Sequence, residues 1–154
     1  MTRLPLECGV TVIAAHIGLG RPHWPVIWRN LSRNPATFDP DYHRLLEKLE
    51  QHDNLYADLS AILTPLKARA LRHLAEQSHI HHKLLFGTDY PVPYTLLFNT
   101  YDLSLKTRLQ ISTIDNPFDA YHAAITEYFP ADSPIYTNYK KVLHLATATE
   151  KASF

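Results

Sequence analysis

The chain has 154 residues, 45% of them hydrophobic and 19% charged, which is enough apolar material for one globular core and too little charge for a disordered tail. Fifteen basic side chains balance fifteen acidic ones, so neither nucleic acid nor an anionic membrane is expected as the main partner, and the single cysteine, Cys8, excludes an internal disulfide framework. No apolar run approaches the roughly 20 residues of a membrane span and the first residues lack a signal-peptide core, so the expected compartment is the cytoplasm.

In chain order, Val10 to His16 is a nearly continuous apolar run, the pattern of a strand covered on both faces of a parallel sheet. The connection after it, running up to a helix at Pro40, far exceeds the roughly 2 to 6 residues usual between strand and helix and reads as a lid or as rim packing. On the lid reading, Gly18 and Gly20 permit close backbone approach. His23, Trp24 and Trp28 then offer aromatic surface to a substrate, and Arg21 or Arg29 can meet its carboxylate. On the other reading both tryptophans simply pack the loop down. Asp39-Pro40 starts a helix, because proline suits the first helical position and the preceding side chain can accept from free amides. Tyr42, Leu45, Leu46 and Leu49 share one of its faces.

Asn54 to Ser60 reads as a second strand with Tyr56, Asp58 and Ser60 on one face. Thr64-Pro65 predicts another helix start, with Leu66, Ala70, Leu71 and Leu74 on one stripe. His79-Ile80-His81-His82 reads as a solvated connection into the third strand, Lys83 to Asp89. A long excursion follows, in which Leu96, Leu97 and Leu103 are expected to face the core. Asn116-Pro117 and Ser133-Pro134 predict two more helices, the first with Phe118, Tyr121, Ile125 and Tyr128 on one stripe, the second with Ile135, Tyr139, Val142, Leu143 and Ala146. One domain, 1–154, is expected, with residues 148–154 as a frayed tail.

Strands alternating with helices imply an α/β fold with a parallel sheet. In each strand a polar group stands at the carboxyl end: His16 in the first, Asp58 and Ser60 in the second, Asp89 in the third. Ligands of α/β sheets bind there, and the small Ala14 and Gly87 leave room beneath. A strand-end aspartate is equally a turn cap, and a lone histidine on an apolar strand equally a core residue. Asp58 and Ser60 are read first as hydrogen-bonding within a polar layer of the sheet end, and second as substrate contacts.

The stretches VTVIAAHIG, NLYADLSA and KLLFGTDYP, in that order, resemble the last three strands of the amidohydrolase-related metal-dependent hydrolases, and DNPFDAYHAAITEYFP is similar to a C-terminal helical segment of some members. The resemblance implies a partial (β/α)8 barrel, strands six to eight with their helices, forming the C-terminal portion of such an enzyme. It implies that Asp89 ligates a divalent metal, zinc by preference, and accepts a proton from its bound water. It implies that His16 is a second ligand, a base or a polariser of substrate. The activity implied is hydrolysis of a small carbonyl or carboxylate compound, with non-hydrolytic decarboxylation as the alternative.

The family's His-x-His pair and its fifth-strand histidine have no counterpart before His16, and the histidine run at 79–82 precedes the third strand, at the wrong end for the metal. Zinc needs three or four protein ligands, so weak or absent binding is expected in this chain alone. A non-catalytic fragment that pairs with a complementary N-terminal half, or with its own copies, is the alternative from another class.

Overall fold

The computed structural model describes residues 3–19, 34–65, 67–94, 96, 100 and 102–143. Helix α1 (Arg3–Glu7) is followed by strand β1 (Val12–Ala14), helix α2 (Pro40–Gln51), strand β2 (Leu55–Asp58), helix α3 (Ala70–Glu76) and strand β3 (Leu84–Leu85). Helices α4 (Leu105–Ser112), α5 (Pro117–Thr126) and α6 (Tyr139–Val142) complete the order, with short 3-10 turns between.

The three strands pair in parallel in the order β1-β2-β3, with Val12 opposite Leu55, Ala57 opposite Leu84 and Asp58 opposite Leu85. This corrects the expected partial barrel. Among the described residues the sheet is small and open, and nothing in it corresponds to strands six to eight of a closed array. The reason is local. Val10 is drawn into a turn after α1, its N–H donating to the Pro5 carbonyl, and the backbone turns left-handed at His16, so β1 keeps three residues of the seven-residue run. Barrel closure needs longer strands, staggered and tilted together.

One face of β2, carrying Leu55 and Ala57, is buried in a core shared with Tyr42 and Leu49 of α2, Leu71 and Leu74 of α3, and Tyr121 and Ile125 of α5. The other face carries Tyr56 and Asp58. Helix α2 starts as its sequence requires: Asp39 accepts from the Asp41 N–H at 2.9 Å and Pro40 takes the first position. Asn116 caps α5 in the same way through the Phe118 N–H.

Thr64-Pro65 does not start a helix. The Thr64 hydroxyl donates back to the Ala61 carbonyl at 2.9 Å instead of accepting from the next amides, and helical structure begins at Ala70. Ser133-Pro134 opens a single turn, Pro134–Tyr136, and the chain becomes helical again at Tyr139. Between them the buried Asn138 side chain donates to the carbonyls of His81 and Leu84, both at 2.8 Å, tying this segment to the start of β3. Tyr139 and Leu143 are consequently exposed, not part of a buried stripe, and Phe118 is exposed on α5. Leu96 is buried and Leu103 packs on the core as expected; Leu66, Leu97, Ala146 and the tail lie outside the described residues. Among the described residues no helix is long and apolar enough to cross a membrane.

Candidate functional site at the carboxyl end of the sheet

Four non-glycine residues among those described have positive φ: His16 (56°), Ile17 (49°), Ala61 (52°) and Asp89 (60°). All four follow the carboxyl ends of the strands. Left-handed backbone costs on the order of 1–3 kcal/mol at a non-glycine residue, and most at a β-branched one such as Ile17. Ile17 is fully buried and Gly18 packs against α2, where a side chain would come within 3.1 Å of Leu45, so packing holds the unfavourable turn in place. This accounts for Gly18 by contact with a helix, not by contact with a substrate.

That turn brings His16 over the end of β2. The Asp58 carboxylate accepts from the His16 N–H at 2.9 Å and from the Ser60 N–H at 3.0 Å, both on Oδ1, which also receives the Ser60 hydroxyl. The His16 ring places Nδ1 at 3.0 Å from the Ser60 carbonyl and 2.9 Å from Ser60 Oγ. A carbonyl only accepts, so Nδ1 carries the hydrogen and the neutral ring presents its lone pair at Nε2. Nε2 lies 3.7 Å from Asp89 Oδ2, with both side chains partly open to solvent. The loops are tied across the sheet end: Leu59 N–H donates to the Leu85 carbonyl and Ala61 N–H to the Thr88 carbonyl. Tyr121 clamps the same loop from below, its hydroxyl donating to the Leu59 carbonyl and accepting from the Ile62 N–H. Burial raises its pKa, keeping the phenol protonated. Gly87 lets the loop approach closely, since a Cβ there would stand a tight 3.3 Å from Ser60 Cβ.

The structure thus brings together His16, Asp58, Ser60 and Asp89. Asp58 acts as the loop's internal anchor, as its plainer reading holds. Arg21 and Trp24, with His23, Trp28 and Arg29, lie outside the described residues. Lys67 was not singled out by sequence reasoning. Burial lowers its pKa, while the charges of Asp89 and then Asp58 act in the opposite sense. Taken as part of a regular helix, Lys67 reads as one more solvated cation.

At the sheet end the donor set among the described residues falls short of what zinc needs. Among the described residues no three His, Cys, Asp or Glu side chains stand together as ligands, and His16 with Asp89 supplies two where three or four are needed. The histidine run is occupied elsewhere: His79 pairs with Glu50 at 2.6 Å and His81 meets the Leu74 carbonyl at 3.0 Å.

No protein-family model matches the chain, and no curated protein or solved structure is significantly similar to it. The reading of the site therefore rests on its chemistry.

Proposed function

We propose that the carboxyl end of the sheet is a general acid–base site that hydrolyses a small carbonyl or carboxylate compound, the reaction class implied by the resemblance to amidohydrolase-related enzymes. The observation that carries this is the orientation of His16, with Nδ1–H committed to Ser60 and Nε2 turned toward the Asp89 carboxylate. In the proposed step a water gives its proton to Nε2 while its oxygen bonds to the carbonyl carbon. The bond to the leaving group then breaks and His16 returns the proton to it. Asp89 steadies the imidazolium, and the Lys67 ammonium favours the negative charge on the carbonyl oxygen. Strain at the four strand-end residues supports the reading, because such strain concentrates at functional sites.

Turnover of a panel of small esters, amides and lactones, run in EDTA and again with added zinc, tests it. Hydrolysis in EDTA that falls about 100-fold or more in His16→Ala, with the fold intact by circular dichroism, is the expected result. Activity confined to added zinc transfers the site to the metal-dependent mechanism. Activity unchanged in His16→Ala removes the histidine from the chemistry.

A second reading has its own observation. Among the described residues β1 is an edge strand, and Val10 before it and Ile13 within it are 54% and 43% exposed. An apolar open edge favours pairing with another copy. Sedimentation across a concentration series decides: a concentration-dependent dimer supports it, and a monomer throughout excludes it.

A further inference from the structure

The face of the sheet turned away from the helical core carries Ile13, Tyr56, Asp58 and Leu85, and it is not bare. The segment that Asn138 ties to β3 brings Tyr139, Val142 and Leu143 beside it, leaving a half-open hollow of about 230 Å³. Its walls are apolar side chains of the sheet and of that segment. Its polar end is formed by Asp58 and Ser60. Every hydrogen bond that Asp58 makes falls on Oδ1; among the described residues nothing donates to Oδ2. A carboxylate oxygen in such a place favours a partner with a donor, and leaving it unmet when an apolar group excludes water is costly. The volume suits a single ring, since a cavity of about 150 Å³ accommodates benzene. The Lys67 ammonium offsets only part of the charge of Asp58 and Asp89, but taking a second cation into an apolar hollow costs far more than taking a neutral donor, so a neutral donor is the better match to the oxygen.

We propose that this hollow is a binding subsite for one small apolar group, an aromatic ring or a branched chain of like size, carrying a hydroxyl or amide N–H directed at Asp58 Oδ2. The subsite goes beyond the acid–base reading of His16 and does not depend on it, because its test reads binding and not turnover.

Benzyl alcohol and anisole are isomers of equal size, and only the first has a donor. Titrated into the labelled chain and followed by amide NMR, benzyl alcohol is expected to shift the resonances of Ile13, Leu85 and Gly87 and to bind about tenfold more tightly than anisole. Asp58→Asn keeps an acceptor at the Oδ1 position and replaces Oδ2 by an NH₂ donor, so it should erase the preference. Val142→Phe fills the hollow without touching the polar network, and should abolish binding of both isomers while leaving the rest of the spectrum in place. Equal affinity for the two isomers, shifts confined to another surface, or undiminished binding in Val142→Phe would each overturn the subsite. Should Asp58→Asn fail to fold, the isomer preference and Val142→Phe still decide.

Discussion

The two ends of the same small sheet use polar side chains in opposite ways. At the amino end they are spent on backbone. Lys83 is buried and donates to the carbonyls of His52 at 3.2 Å and Asp53 at 2.6 Å, with its ammonium 5.1 Å from the centre of the Tyr56 ring. Asn54 donates to the Leu6 and Val10 carbonyls, and Asn138 to those of His81 and Leu84. At the carboxyl end the backbone is left-handed at four non-glycine residues, and atoms such as His16 Nε2 and Asp58 Oδ2 remain available. The first end lowers the free energy of the fold, though it leaves the buried Asn138 Oδ1 unpaired, and the second retains strain and atoms open to a ligand. Parallel α/β proteins place stability and chemistry at these same two ends.

If that division holds, the largest stability effects belong to the amino end. Asn138→Ala removes two buried hydrogen bonds and leaves a cavity, for an expected loss of about 3 kcal/mol in urea denaturation. Lys83→Met keeps the apolar stem but loses two charge-assisted bonds, for about 2 kcal/mol; the carbonyls it abandons lie near solvent and can rehydrate in part. Lys83→Met should leave the ratio of benzyl alcohol to anisole affinity unchanged, whereas Asn138→Ala also loosens the segment that walls the hollow. A loss below about 0.5 kcal/mol in both variants would show that these bonds do not hold the sheet.

The carboxyl end should respond with the opposite sign. Ala61→Gly removes the Cβ from a left-handed residue, and the relief exceeds the added entropy of the unfolded glycine, so a gain of about 1 kcal/mol is expected. Ala61 is buried and contributes one methyl, so the lost packing is small. Destabilisation by Ala61→Gly would mean that the turn is not strained and that the contrast between the two ends fails there.

How much of this could be read from the sequence differs along the chain for physical reasons. The strand segments and the helices after Asp39 and Asn116 were legible because apolar spacing and a capping residue pointed the same way. Thr64-Pro65 carried the same signal and misled, since a threonine hydroxyl can serve its own preceding turn as readily as the next helix. His16 and Asp89 were legible as strand-end groups, but their facing geometry depends on left-handed turns that no spacing rule announces. Helix α4, capped by Ser104 through the Thr107 N–H, lay hidden in a stretch read as a long excursion. The barrel expectation failed because the resemblance supplied strand identity without strand length.

The smallest predicted effect separates a committed histidine from the available one. His73 on α3 accepts from or donates to the Tyr42 hydroxyl through Nδ1 at 2.7 Å, and burial raises the Tyr42 pKa, so the phenol stays protonated and donates to a neutral ring. Burial lowers the His73 pKa from 6.5, the neighbouring His43 lowers it further, and Glu76 opposes both. The folded chain therefore binds this proton less readily than the unfolded chain. Stability is whole above about 6.5, falls as the pH drops below that value, and levels off once the pH passes the lowered folded value. The ring is only partly buried, so the total loss is small. His73→Asn keeps an acceptor near the Nδ1 position and does not titrate, so its midpoint temperature should fall less steeply between pH 6.5 and 5 than that of the parent chain. The histidines other than His43, which lies beside His73, are common to both proteins and drop out of the difference. Equal slopes would show that His73 charges freely in the folded state. They would also end its classification with the groups that the fold, and not the site, has committed.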